Sequence, residues 1–236
     1  MPADTPNHLI KFIKPSDRRY FKDGTLKFGT LKAYQGSEEV TLGARDDYLE
    51  GGRSRSLTFT NKEPINAHGM IFGAGANFRG LQLIDEINAH VFCCSNGPYT
   101  KEMHDGIRLG KGDYTGNAEL TDYVVFDSKK LIYAVVEELS KLAPNQTENI
   151  LAHGRVMYTK TVEPMSEEQL NCPPESFGLE QAFEAVITKP ELFTPENEYR
   201  LIPTLHNRLG IEPDADSLFL TSDAIRDAII YLGALG

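Results

Sequence analysis

AHVFCCS, residues 89–95, is the segment from which the fold class can be worked out, because it is short, rich in apolar residues and ends at Asn-Gly. Successive side chains of a β-strand point to opposite faces. A strand here would place His90, Phe92 and Cys94 on one face, and on the other face Val91, Cys93 and Ser95. Residues 8–13 (HLIKFI) and 199–203 (YRLIP) are predicted to be strands of the same sheet.

Further strands are predicted from alternation and from turn residues at their ends. They cover residues 25–34, 54–60, 81–87, 123–126, 155–159 and 228–232. The strand over residues 25–34 is expected to break at Gly29. Residues 81–87 and 89–95 are expected to pair with each other around a turn near Asn88.

Helices are predicted over residues 17–22, 45–50, 128–142 and 179–187. Ser16 and Ser128 are candidate N-caps, and Gly24 is expected to end the first helix in a left-handed conformation. Apolar residues at helical spacing predict the buried positions Leu131, Val135, Leu139 and Leu142, and also Phe183 and Val186. Strands outnumber long helices and do not alternate with them, so the fold class is predicted to be α+β. The sheet is expected to be mainly antiparallel or mixed, with flanking helices.

Length and composition predict one compact domain over residues 1–236. A mixed fold of 236 residues commonly forms a single unit, and the 40 % of apolar residues suffices for a sizeable core. Residues 1–7 are polar and include two prolines, so we expect them to be flexible.

Charge and cysteine content narrow the classes of partner. A net charge of −10 disfavours binding to nucleic-acid backbones. Cys93 and Cys94 are adjacent and poorly placed to bridge each other, and with Cys172 they match no zinc-site spacing, so we expect reduced cysteines and no metal. The sequence has neither a long apolar run nor a signal-peptide pattern, which predicts a cytoplasmic protein with no membrane partner.

Glu196 and Glu198 are the first candidate catalytic residues. If the strand starts at this point, carboxylates two residues apart lie on one face. One carboxylate can accept a proton from a nucleophile while the other stabilises positive charge developing on a sugar carbon. The alternative is structural, because Glu198 and Arg200 would also share a face and can form an ion pair.

Asp46 and Glu50 are a second candidate pair, for substrate or metal. On a helical turn they lie four residues apart on one face and could hold Mg²⁺ together with a substrate phosphate. They could equally pair with Arg53 or Arg55. Gly110-Lys111-Gly112 has no phosphate-loop spacing and is interpreted as an ordinary loop.

Several segments together resemble a broad, mostly uncharacterised family of bacterial and phage domains. The matching pieces are a Lys-Phe start at Lys11-Phe12, a Phe-x-x-Ser strand ending at Ser95, and late in the chain Lys189 and Glu-Asn-Glu-Tyr-Arg at residues 196–200. The resemblance covers nearly the whole chain in scattered pieces.

The same order of segments resembles the ADP-ribosyltransferase superfamily. The resemblance implies NAD as cofactor, with Glu198 binding the nicotinamide ribose and Glu196 assisting the acceptor. It also implies an NAD site that includes Ser95, Tyr99 and Arg200, with Lys11 or His8 near the adenosine side.

Three functions are therefore carried forward. The first is an NAD-using, ADP-ribosyltransferase-like enzyme, as a toxin or effector in conflict between phage and bacteria. The second is a non-catalytic domain of a defence system that senses a nucleotide-like ligand or binds a protein partner. The third is a metal-dependent phosphodiesterase using Asp46 and Glu50. The first two differ in whether Glu198 faces a concave pocket or is buried against Arg200.

Overall fold

A computed structural model describes most of the chain. The described residues are 5–31, 52–60, 65–67, 70–72, 77–86, 89–112, 114, 116–145, 150–159, 163–165, 186–204 and 217–234. The predicted helix over residues 45–50, most of the one over residues 179–187, and residues 32–34 lie outside these ranges.

The described residues are mostly in strands. In chain order the strands are β1 (His8–Ile13), β2 (Thr25–Thr30), β3 (Gly52–Thr60), β4 (Ile65–Ala67), β5 (Met70–Phe72), β6 (Asn77–Glu86), β7 (His90–Asn96), β8 (Asp122–Asp127), β9 (Leu151–Arg155), β10 (Met157–Thr159), β11 (Glu163–Met165), β12 (Thr188–Pro190), β13 (Glu198–Pro203), β14 (Ser217–Thr221) and β15 (Ile229–Ala234). The helices are α1 (Arg18–Lys22), α2 (Lys101–Leu109), α3 (Ser128–Leu142), α4 (Asp223–Asp227) and two 3-10 turns, Pro15–Asp17 and Glu191–Glu196. No helix in the described part of the chain is long and apolar enough to cross a membrane.

One antiparallel sheet organises the fold. Its strand order is β14-β2-β7-β1-β8-β15, and β13 and then β9 extend it from β7. Every pairing in this sheet is antiparallel. The short pairings of β3 with β11 and of β10 with β12 are parallel. The predicted α+β class with a mainly antiparallel sheet is confirmed.

Strand β7 is a branch point in this sheet. Ser95 is paired with Ile10 of β1 and also with Glu198 of β13, so these two strands flank β7 on opposite sides. The register with β2 covers His90 and Val91, whereas the register with β1 covers only residues 95 and 96. Cys93 therefore lies where the sheet splits between β1 and β2.

The main core covers one face of the sheet. Helix α3 packs there with Leu131, Val135 and Leu139, against strand residues that include Phe92 and Phe126. Burial of such side chains is the main favourable contribution to folding, at roughly 25 cal/mol per Å² of apolar surface. The predicted fourth buried position, Leu142, is 51 % exposed because the helix ends there, past the edge of the core.

Several predicted details are wrong. Gly29 does not break its strand, because it pairs with Ser217 on one side and Val91 on the other. The N-caps are the residues next to the predicted serines: Asp127 caps α3 through a bond from the Lys130 amide, and Asp17 precedes α1.

The predicted strand over residues 155–159 is in fact two strands, β9 and β10, that meet at Val156 and pair with different partners. Strands β6 and β7 do not form the predicted hairpin. β6 pairs with β3, whereas β7 lies in the main sheet. Alternation identified these strands, but it carries no information about which strand pairs with which.

Candidate functional site

The two candidate carboxylates lie on either side of a left-handed residue. Glu196 ends the 3-10 turn and Glu198 begins β13, with Asn197 between them at φ 44° and ψ 51°. Asparagine tolerates this conformation better than most residues. The Asn96 amide donates to the Asn197 carbonyl at 2.7 Å, and the Asn197 side-chain amide donates back to the Asn96 carbonyl at 3.0 Å.

The prediction that both carboxylates lie on one strand is therefore wrong in its geometry, since only Glu198 belongs to β13. They nonetheless converge on the same ammonium group. Lys189 Nζ lies 2.8 Å from Glu196 Oε2 and 3.4 Å from Glu198 Oε2. The Lys189 side chain is only 6 % exposed and lies over the Phe193 ring, 4.2 Å from its centroid.

Glu198 is held from a second side by Arg200. Arg200 Nε donates to Glu198 Oε1 at 2.6 Å, and Arg200 Nη1 donates to the Val186 carbonyl. Arg200 is fully buried, and Glu198 is only 5 % exposed. The Cys93 thiol also hydrogen-bonds to Glu198. This is the ion pair that the structural alternative for Glu198 predicts.

Glu196 is the more accessible of the two carboxylates. Its side chain is 22 % exposed. Its second oxygen, Oε1, accepts a hydrogen bond from the Tyr114 hydroxyl at 3.1 Å. Tyr158 borders the same cluster, and its hydroxyl accepts from the Glu198 backbone amide at 2.7 Å.

The two carboxyl groups have pKa values shifted in opposite directions. Burial raises the pKa of Glu196 from 4.5 to about 7; the Lys189 charge acts to lower it, and the nearby Glu198 charge cancels part of that lowering. Burial also acts to raise the pKa of Glu198, but Arg200 and Lys189 outweigh it and hold that pKa well below its usual range. A pair of carboxyl groups pushed apart in this way is typical of acid–base sites, although structural ion-pair networks also produce it.

Ser95 lies beside this cluster. It is paired with Glu198 across the two strands, so both side chains lie on the same face of the sheet, and Ser95 is buried.

Lys11 lies on the opposite face. Ile10 is paired with Ser95 and shares its face, so the next residue along β1 points the other way, toward the main core. Lys11 Nζ donates to the Cys93 carbonyl at 2.7 Å and lies 5.2 Å from the centroid of Phe92. Lys11 therefore bonds to a backbone group at the split between β1 and β2, and not to the carboxylates.

Tyr99 belongs to a separate aromatic cluster. Its ring stacks on Tyr123 at 4.0 Å, and its hydroxyl lies 3.3 Å from Nδ1 of the buried His104. The other His104 nitrogen, Nε2, lies 2.7 Å from the Leu120 carbonyl, which can only accept. The structure thus brings Glu196, Glu198, Arg200 and Ser95 together, and places Lys11 and Tyr99 elsewhere.

Asp46, Glu50 and Cys172 lie outside the described residues. In the part of the chain that is described, no three His, Cys, Asp or Glu side chains converge as metal ligands would. In the described part of the chain neither Cys93 nor Cys94 forms a disulfide, and burial raises the pKa of Cys94 to about 12.

Sequence reasoning missed two members of the cluster. Tyr114 and Tyr158 are distant in sequence from Glu196 and carry no motif of their own. The segment that contains Tyr114, GKGDYTG, is marked in the sequence by its glycines and not by its tyrosine.

Comparison with protein families, with curated proteins and with solved structures finds no match to this chain. The suggested resemblances therefore remain predictions, and the function has to be argued from the site.

Proposed function

We propose that this chain is an ADP-ribosyltransferase-like enzyme that uses NAD, and that Glu196 is its acid–base group. The observation that carries the proposal is that Glu196 and Glu198 differ in burial and in pKa. Glu198 is buried and ionised, whereas Glu196 is partly exposed and has a pKa of about 7. A proton-transfer group works best when its pKa lies near the operating pH.

In the proposed reaction a hydroxyl or amine of the acceptor attacks the ribose carbon that bears nicotinamide. The carbon–nitrogen bond to nicotinamide breaks, nicotinamide leaves as a neutral ring, and Glu196 takes the proton of the acceptor. Glu198 has a different role from the one that the superfamily resemblance implies. Its charge is already paired with Arg200 and Lys189, so it serves to hold those two cations in place.

The choice of NAD as donor rests on the order of the sequence segments, with Ser95 next to Glu198 as the additional support. A cytoplasmic setting and a role as toxin or effector in phage–bacteria conflict belong to the same proposal.

The test is NAD consumption by the purified protein. We expect turnover by the parent that falls as the pH drops below about 7, since a protonated Glu196 cannot act as a base. Glu196→Gln should lower turnover by about 100-fold or more. Glu191→Gln removes an exposed carboxylate from the same 3-10 turn and is the matched control. No NAD consumption by a folded parent across pH 5–9, with added protein acceptors, would refute the proposal.

The burial of Glu198 favours a second candidate, a non-catalytic domain that senses a ligand or binds a protein. A carboxylate that is 5 % exposed and 2.6 Å from Arg200 Nε is placed as a structural ion pair is. If this candidate is correct, Glu198→Gln lowers the melting temperature, and neither parent nor variant consumes NAD.

A further inference from the structure

The glycine-containing loop after α2 has a geometry that presents Tyr114 to the carboxylate pair. Gly110 and Gly112 have φ values of 83° and 63°, a region that side chains disfavour. A Cβ on Gly110 would collide with the Tyr114 carbonyl. The loop closes through reciprocal bonds between Lys111 and Tyr114, with N–O distances of 3.1 and 3.2 Å.

Tyr114 is buried, and its side chain makes contacts on two sides. Its ring meets Phe193 edge-on at 5.9 Å, and its hydroxyl donates to Glu196 Oε1. Phe193 also lies under Lys189, which binds the other oxygen of the same carboxylate. Glu196 is thus held by a donor at each oxygen, and one aromatic ring supports both donors.

We propose that Tyr114 is a positioning residue that orients the Glu196 carboxylate against Lys189 and favours its ionised form. This inference rests on the proposed function, in which Glu196 must be available as a base. Tyr114 acts through Glu196 and has no assigned contact with substrate.

Among the described residues, four groups face Glu196 from the elements around it. Lys189 and Tyr114 favour the carboxylate form, Glu198 disfavours it, and the neutral Tyr158 ring lies at the border of the cluster. A hydrogen bond to the charged form of a carboxyl group lowers its pKa. Removing the Tyr114 hydroxyl should therefore raise the pKa of Glu196.

The experiment measures the Glu196 side-chain pKa by carbon-13 NMR in the parent and in Tyr114→Phe, which keeps the ring. We expect the pKa in Tyr114→Phe to be higher by about one unit. Where NAD turnover is present, its pH dependence should move upward by the same amount. Tyr133→Phe, which removes an exposed hydroxyl on α3, is the matched control and should leave the pKa unchanged.

An unchanged Glu196 pKa in a folded Tyr114→Phe protein overturns the inference, even if the melting temperature falls. If that variant does not fold, Glu196→Gln gives the reciprocal test. The pKa of the Tyr114 phenol, which burial and then Glu196 raise in the parent, should fall by NMR, and no fall overturns the inference. If the parent protein does not consume NAD, the proposed enzymatic function is refuted. The two NMR measurements still decide whether Tyr114 orients Glu196 and favours its ionised form.

Discussion

Replacing Glu196 with glutamine should change how the stability of the protein depends on pH. The pKa of Glu196 in the folded protein is raised from 4.5 to about 7. Between these values the folded state binds more protons than the unfolded chain, so stability falls as pH rises through this window. A glutamine at this position does not titrate, and the variant should lose this part of the pH dependence.

The magnitude follows from the size of the shift. A difference of about 2.5 pKa units corresponds to about 3 kcal/mol in the free energy of unfolding. As the pH rises from 4.5 to 8, the free energy of unfolding of Glu196→Gln should therefore increase by about 3 kcal/mol relative to that of the parent. Glu198 lies outside this window, because its pKa is lowered and its contribution is lost only as pH falls below its ordinary value.

The assay is urea unfolding of both proteins at several pH values from 4.5 to 8, with Glu191→Gln as the exposed control on the same turn. The control should keep the pH dependence of the parent. The attraction of Lys189 for the ionised carboxylate is already part of the Glu196 pKa. Any other effect of the glutamine side chain should be similar at every pH and should leave the difference in slope intact. Parallel curves for the parent and Glu196→Gln would show that Glu196 titrates normally, and the acid–base argument would fail with it.

Two other substitutions test the buried charges and the branch in the sheet. Glu198→Gln should cost about 3–5 kcal/mol, because Arg200 and Lys189 would remain buried without their shared carboxylate, and thermal melting should show a lower transition. Lys11→Met should cost roughly 1–3 kcal/mol in urea unfolding, since the Cys93 carbonyl loses its charged donor at the split in the sheet.

Each has a matched control. Glu119→Gln removes an exposed carboxylate that pairs with Lys14, and we expect almost no change in stability because solvent screens this pair. Lys14→Met removes the other half of that exposed pair. A Glu198→Gln protein as stable as the parent would show that the ion pair contributes nothing. If Lys11→Met loses no more stability than Lys14→Met, the hydrogen bond from Lys11 to the Cys93 carbonyl does not stabilise the protein measurably.

Local sequence pattern was enough to locate most strands of the main sheet and one long helix, but not β14 or most of β9. Residues 8–13 and 199–203 alternate, and both segments form strands of the main sheet. The approximate span of α3 and three of its buried positions also follow from spacing alone. These features are local, because side-chain period and turn chemistry depend on neighbouring residues only.

The short-range part of the site was likewise predictable. Glu198 and Arg200 are two residues apart on one strand, and their ion pair was among the predicted alternatives. Lys189 was visible as a nearby cation, although nothing in the sequence indicated that one ammonium group would bind both carboxylates.

The tertiary structure alone decided which distant segments meet. Tyr114 reaches Glu196 across 82 positions of sequence, and Lys11 lies across the sheet from the carboxylates although both strands flank β7. The strand period is fixed by local sterics, whereas the choice of pairing partner depends on burying apolar surface contributed by the whole chain. The difference in solvent exposure between Glu196 and Glu198 also depends on the tertiary structure, because distant side chains determine how far each carboxylate is covered.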